Sequence, residues 1–272
     1  LGAVVSFGPM PKLLGLEPPP ARDPKVSPLG FDWNALSDKD FAARCKALES
    51  ALEQGVEVGK KQLGGGGNRS YLVELDTGPV AVWKPKAGQK PGKARNQIDP
   101  KQDEGKVEAA AYLVDRALGH LARVPPASPS GLDGREGTLG LYVPQTTPAK
   151  DLGERDLLYS LLKPEDTRRI TLFDHVIGNL DRHGGNWLID PKGRPIPIDH
   201  GLAFPLRNED QGFHNFDFSE TFALNADEKA RLQQFSQQRS EIERQLQGLL
   251  PSPAITAMFE RVDRMLRSEE HT

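Results

Sequence analysis

The segment Asn179-Leu180-Asp181-Arg182-His183-Gly184-Gly185-Asn186, followed by Ile198-Asp199-His200-Gly201, decides how this chain is read. It sets an Asp and an Asn five positions apart, and a second Asp thirteen positions after the Asn. Phosphoryl transfer calls for such a set. One carboxylate orients an attacking hydroxyl, while an amide and a second carboxylate hold the magnesium that neutralises the phosphates. The alternative is a polar loop and turn that merely contain Asp, and the flanking sequence argues against it.

Upstream, Ile170, Leu172, Phe173, Val176 and Ile177 recur at helical spacing. Pro164, Glu165 and Asp166 suit the start of that helix, and Gly178-Asn179 suit its end. Downstream, Trp187-Leu188-Ile189 and Ile196-Pro197-Ile198 are short apolar runs around the turn chemistry of Asp190-Pro191-Lys192-Gly193. Asp181 and Asn186 therefore fall on a loop between a helix and a hairpin, and Asp199 just after the second strand. Three side chains can converge from there.

Further out, Gly64-Gly65-Gly66-Gly67-Asn68-Arg69-Ser70-Tyr71 precedes a predicted hairpin, residues 70–75 and 79–84 about Asp76-Thr77-Gly78. Glycines let backbone amides approach phosphate oxygens, which makes Gly65, Gly66, Gly67, Asn68 and Ser70 candidate nucleotide contacts. A flexible linker is the competing reading. No Gly-Lys-Ser/Thr follows, so this is not a Walker A loop. The second strand ends in Val82-Trp83-Lys84-Pro85-Lys86. A Lys there can reach nucleotide phosphates, and protein kinases pair such a Lys with a Glu on the next helix. Lys84 with Glu108 is preferred over Lys86 or Glu104, although Lys84 and Lys86 share a strand face.

The rest of the chain sets bounds. Its 272 residues suffice for one large or two small domains, and 35 basic against 38 acidic residues leave a net charge of −3. That balance disfavours bulk binding to nucleic acid. No run approaches the roughly 20 apolar residues of a membrane span. Cys45 is the single cysteine and shares a helical face with Phe41, Leu48 and Leu52, so it reads as core. A lone cysteine fits a reducing compartment, and a cytoplasmic location is expected. The chain begins at Leu1, which leaves a removed signal peptide open.

Further elements are expected as a helix from Ser37 to about Gln54, a helix over 107–118, a strand over 138–143 and helices over 226–247 and 252–267. Residues 87–106 read as a solvated basic loop, a substrate-binding patch being the competing reading. The expected organisation is α+β. A Pro-rich, poorly ordered leader (residues 1–30) precedes a strand-rich N-terminal lobe (31–145) and a mainly helical C-terminal lobe (146–272), with the chemistry between the lobes.

Four blocks in order carry a family resemblance: Val82–Lys86, Glu108–Asp115, Asp181–Ile189 and Ile198–Pro205. Together they resemble the phosphatidylinositol 3-/4-kinase superfamily, with type II 4-kinases and their bacterial relatives the nearest match. The resemblance implies a bilobal protein-kinase-like fold that binds ATP with Mg²⁺, or Mn²⁺ in its place. It implies Lys84 on the phosphates, Asp181 as catalytic Asp, Asn186 and Asp199 as metal ligands, and an adenine-reading hinge near Pro144 and Gln145. His183 and His200 are candidates to assist catalysis or to orient Asp181 and Asp199, structural hydrogen bonding being the competing role. Trp83, Trp187 and Phe204 read as the apolar shell of the site.

Departures keep the acceptor open. Type II lipid kinases carry a cysteine cluster between the lysine strand and the Glu helix, and this chain has none there. After Asp199, only Arg207 is a fixed positive charge before Glu209 and Asp210, while Phe204, Phe213, Phe216 and Phe218 follow. Asn179–His183 also resembles HipA-type bacterial protein kinases. The expected activity is transfer of the γ-phosphate of ATP to a hydroxyl on a protein, a small molecule or an inositol lipid. Adenylyl transfer and a nucleotide-binding pseudokinase are the alternatives.

Overall fold

Ser37 caps the first helix. Its Oγ accepts from the Asp40 N–H at 3.2 Å, an N-cap that opens α1 (Asp38–Gln54). The structure is a computed structural model that describes residues 36–63, 69–87, 98–99, 102–132, 134–152, 162–208 and 223–268. The Pro-rich leader, Gly64–Asn68, much of the basic stretch, and Phe213, Phe216 and Phe218 lie outside these residues. Along α1 the expected stripe of Phe41, Cys45, Leu48 and Leu52 is fully buried.

Five antiparallel strands follow in the order β1-β2-β3-β5-β4. The predicted hairpin is β2 (Ser70–Leu75) and β3 (Val80–Pro85), paired with Tyr71 opposite Trp83. The strand expected over 138–143 is β5 (Arg135–Leu141), which starts and ends earlier. Two strands go beyond the expected elements, β1 (Glu57–Leu63) and β4 (Ala127–Leu132). Both are edges. Edge strands tolerate the lysines of β1 and the Pro129 and Gly131 of β4, which in a sequence read as loop chemistry.

Helix α2 (Glu104–Ala117) starts three residues before its expected position. Asp103 Oδ1 accepts from the N–H groups of Gly105 and Lys106 at 3.0 and 3.3 Å, which caps an extra turn. The helix lies hard against β5. A Cβ on Gly105 would stand 2.4 Å from Thr138 Oγ1, so only glycine permits this approach. At the other end buried Asp115 accepts from the N–H groups of Ala122 and Val124 at 2.7 and 2.9 Å. Burial pushes its pKa up to about 7.

Helix α3 (Pro164–Ile177) follows, with Pro at its first turn and Gly178 as a left-handed C-cap at φ 63°. A Cβ on Gly178 would meet Pro205 Cδ at 2.7 Å and Arg261 Cζ at 2.9 Å. A small sheet of β6 (Thr147–Pro148), β7 (Trp187–Ile189) and β8 (Pro195–Pro197) carries the loop that follows α3. Asp190 fixes the β7–β8 turn. Its Oδ1 accepts from the Lys192 and Arg194 N–H groups, both at 2.9 Å, and Arg194 Nε donates to its Oδ2 at 3.0 Å.

The helix expected over 226–247 is two helices, α4 (Ala226–Gln237) and α5 (Arg239–Leu246), broken at Gln238. Arg239 at the break donates to Asp263 on α6 (Ser252–Ser268) at 2.7 Å, and its guanidinium stands 4.5 Å over the Phe259 ring. Met258, Phe259 and Val262 of α6 are buried against α3, α4 and α5. Strands thus dominate up to Leu141 and helices after it, the expected α+β arrangement.

Candidate active site

Lys84 sits at the penultimate position of β3, and α2 brings Glu108 to it. Its Nζ donates to Glu108 Oε1 at 2.9 Å and to Asp199 Oδ1 at 3.1 Å. The three groups line a cavity of about 270 Å³. Leu63, Val82, Ala127, Leu141, Val143 and Leu188 give it mainly apolar walls. Such a cavity, apolar with a few convergent charges, suits a flat heterocycle joined to an anion. Burial alone would lower the Lys84 ammonium's pKa, but the Glu108 and Asp199 carboxylates outweigh it and raise it. Burial would raise the Glu108 carboxyl, and Lys84 followed by His200 holds it well below the usual range. Both groups are therefore charged at neutral pH.

The alternatives fall elsewhere. Lys86 pairs with Glu136 at 2.9 Å on the open surface and does not line the cavity. Glu104, one turn before Glu108, lies beside Gly201, where an added Cβ would stand 3.3 Å from it. Gly65, Gly66, Gly67 and Asn68 are outside the described residues; Ser70 opens β2 opposite Leu63. Tyr142 and Val143 line the cavity at the end of β5, whereas Pro144 and Gln145 do not. Gln145 takes a left-handed φ of 58°. Trp83, Trp187 and Phe204 are buried and do not line the cavity.

The loop of Asp181 and Asn186 is held by a residue whose structural role the sequence does not suggest. Arg182 is buried, and its Nε and Nη2 donate to Asp174 Oδ2 and Oδ1, each at 2.8 Å. Its Nη1 donates to the Asn186 carbonyl and, at 2.9 Å, to the Ile198 carbonyl. One guanidinium thus joins α3, the loop and the residue before Asp199. Asn179 adds to the frame, donating to Asp174 Oδ1 at 2.9 Å and accepting from the Asp181 N–H at 3.1 Å.

On this frame the amide of Asn186 is oriented. Its Nδ2 donates to the Asp181 carbonyl at 2.7 Å, which leaves its Oδ1 as the atom suited to a cation. The Ile198 N–H donates to the Asn186 carbonyl at 3.0 Å, so Asn186 and Asp199 come from adjacent segments. Asp199 has φ 56°, a strained value for a residue other than glycine and a frequent mark of functional sites. Among the described residues no three His, Cys, Asp or Glu side chains form a metal cage. One amide oxygen and one carboxylate fit a hard cation that takes its remaining ligands from phosphate and water. His183 is largely exposed. Its Nδ1 accepts from the Gly185 N–H at 2.9 Å, so its Nε2 carries the hydrogen and stands 3.7 Å from Asp181 Oδ2.

Known proteins resemble this chain in sequence and in fold. Residues 164–241 match the family described as phosphatidylinositol 3- and 4-kinase. The chain is 27% identical over 219 residues to phosphatidylinositol 4-kinase gamma 3 of Arabidopsis thaliana, covering 62% of this chain and 37% of the relative. It is 28% identical over 236 residues to phosphatidylinositol 4-kinase gamma 5 of the same plant, covering 71% and 36%. The chain thus spans about a third of the length of these curated relatives. Among solved structures, the Helicobacter pylori proinflammatory kinase CtkA superposes with a TM-score of 0.54 at 15% identity, over 81% of this chain and 98% of its own. The Golgi casein kinase with Mn/ADP bound superposes with a TM-score of 0.53 at 15% identity, over 84% and 75%. The fold is that of the kinases. Among the described residues no helix is long and apolar enough to cross a membrane. Over residues 164–241 the chain is similar to the phosphatidylinositol 3- and 4-kinase family, and its similarity to relatives named for that activity extends over most of the chain.

Proposed function

We propose that this chain is an ATP-dependent kinase that transfers the γ-phosphoryl group to a hydroxyl. The observation that carries the reading is the Glu108–Lys84–Asp199 chain of charges lining a mainly apolar cavity. Lys84 holds the nucleotide phosphates and Glu108 holds Lys84. Asn186 Oδ1 and Asp199 are the residues to hold Mg²⁺ or Mn²⁺, which when bound offsets the charge of the phosphates. Asp181 orients the attacking hydroxyl, and the Nε2–H of His183 steadies the Asp181 carboxylate. The work is positioning and electrostatics, since this transfer asks for little covalent chemistry from the protein.

The curated relatives are named for phosphatidylinositol, and this supports an inositol lipid as acceptor. The sequence narrows it further. Arg207 is the only Lys or Arg between Asp199 and Glu209, so an unphosphorylated headgroup fits better than a bisphosphate. Radiolabelled ATP offered with vesicles of phosphatidylinositol, its mono- and bisphosphates, and a protein lysate tests this. Label is expected first on phosphatidylinositol. Preferential labelling of the bisphosphate would reject the headgroup argument, label confined to protein would reject the lipid, and added AMP by intact mass would reject phosphoryl transfer.

Lys84→Met is expected to lower turnover by about 10²–10³-fold, the scale of losing one aimed electrostatic contact. Its melting temperature should move by only a few degrees, because Glu108 keeps its contacts to His200. Turnover within a few-fold of the parent would remove Lys84 from the phosphate role.

A further inference from the structure

His200 directly follows Asp199, and nothing in phosphoryl transfer requires a histidine there. Its ring is buried at 1% exposure. Its backbone N–H donates to Glu108 Oε2 at 3.0 Å, and its Nδ1 stands 3.3 Å from the same oxygen. The ring packs edge-on against Phe173 of α3, with centroids 5.7 Å apart at 85°. Its Nε2 is buried without a hydrogen-bond partner. An ionised carboxylate only accepts, so Nδ1 carries a hydrogen and donates it to Glu108.

The two oxygens of Glu108 are thereby divided. Oε1 takes Lys84 of β3, and Oε2 takes both donors of His200. A carboxylate gripped at one oxygen can still rotate about its last bond, whereas one gripped at both cannot. Asp199 takes a left-handed backbone, and it and His200 both line the cavity.

We propose that His200 is a positioning residue that ties Glu108, and with it α2, to the Asp199 segment, so that Lys84 and Asp199 are set for nucleotide together. The proposal takes the kinase reading of this site as its basis. It makes the placement of α2 and of the Asp199 carboxylate one event, because the residue that follows the metal-side Asp is the residue that fixes the partner of the lysine.

The test compares His200→Phe, which keeps a ring against Phe173 and loses the Nδ1 hydrogen, with His200→Asn, whose amide N–H falls near the Nδ1 position. Hydrogen exchange is read over residues 104–112 and 199–204 without nucleotide, and kcat/KM for ATP is read beside it. His200→Phe is expected to speed exchange in both segments and to lower kcat/KM by about ten- to a hundredfold, the scale of a small misplacement. His200→Asn should restore both to within a few-fold. Added to Glu108→Gln, His200→Phe should cost little more. Unchanged exchange over 104–112 in a folded His200→Phe protein, an Asn variant as impaired as the Phe variant, or additive effects with Glu108→Gln would each overturn the tie. The expected exchange pattern in a chain with no turnover would support the tie and overturn the kinase reading.

Discussion

Asp199→Asn is expected to lose about 10³-fold in turnover while remaining folded. A metal acting on phosphates contributes several kcal/mol to the transition state, and each 1.36 kcal/mol is about tenfold in rate. Asp199 is the one carboxylate of the proposed ligand pair, and it lines the cavity beside Lys84. Asn is the sharper substitution than Ala. The backbone here has φ 56°, which Asn accepts nearly as well as Asp and Ala does not. A loss in the Asn variant therefore reads the charge and not the backbone. The same substitution also frees Lys84 from one partner, so the metal role needs its own signature. If Asp199 holds the cation, raising the magnesium concentration should recover part of the lost rate. Turnover near that of the parent would end the metal assignment. A deep loss insensitive to magnesium would move Asp199 from the cation to the positioning of Lys84.

Much of this site is legible in the sequence because its parts sit on elements with strong local signals. Pro164 and Gly178 bracket α3, and Asp190 to Gly193 spells out the β7–β8 turn, so the loop of Asp181 and Asn186 can be located from the residues alone. The choice between Lys84 and Lys86 cannot be made that way. They share a strand face, and only the arrival of α2 on one side and of Glu136 on the other separates them. The edge strands β1 and β4 are hidden for the reason that makes them edges, since lysines, a proline and glycines are tolerated where one side of a strand is unpaired. The break at Gln238 carries no glycine or proline, and the partners of Arg239 are supplied by α6, far along the chain. The role of Arg182 is hidden for a similar reason. A charged residue in a polar loop reads as solvated, and its buried partner Asp174 faces it only once the chain has left α3.

Breaking that pair should be the most destabilising polar change in the C-terminal half. Asp174→Ala leaves the Arg182 guanidinium buried without its carboxylate, and removing one member of a buried ion pair costs about 3–5 kcal/mol. For a chain of this size that corresponds to a fall in melting temperature of about 6–20 °C. Two further losses add to it: Asn179 Nδ2 loses its acceptor, and the turn that carries Asp181 loses its anchor on α3. Arg182→Met removes the charge itself and should cost less. The double variant should be less damaging than the sum of the single ones, with a coupling of up to about 3 kcal/mol. Urea unfolding of the four proteins reads this directly. A loss below about 1 kcal/mol in Asp174→Ala would mean that the guanidinium finds water or another partner, since that is the scale of an exposed pair. The frame also has a catalytic consequence. Arg182 bonds the carbonyls of both Asn186 and Ile198, so Arg182→Met, assayed well below its melting point, should slow turnover more than it weakens ATP binding. The Asp181 loop and the segment leading to Asp199 would then no longer be held against each other, while Lys84, Glu108 and the apolar walls stay in place.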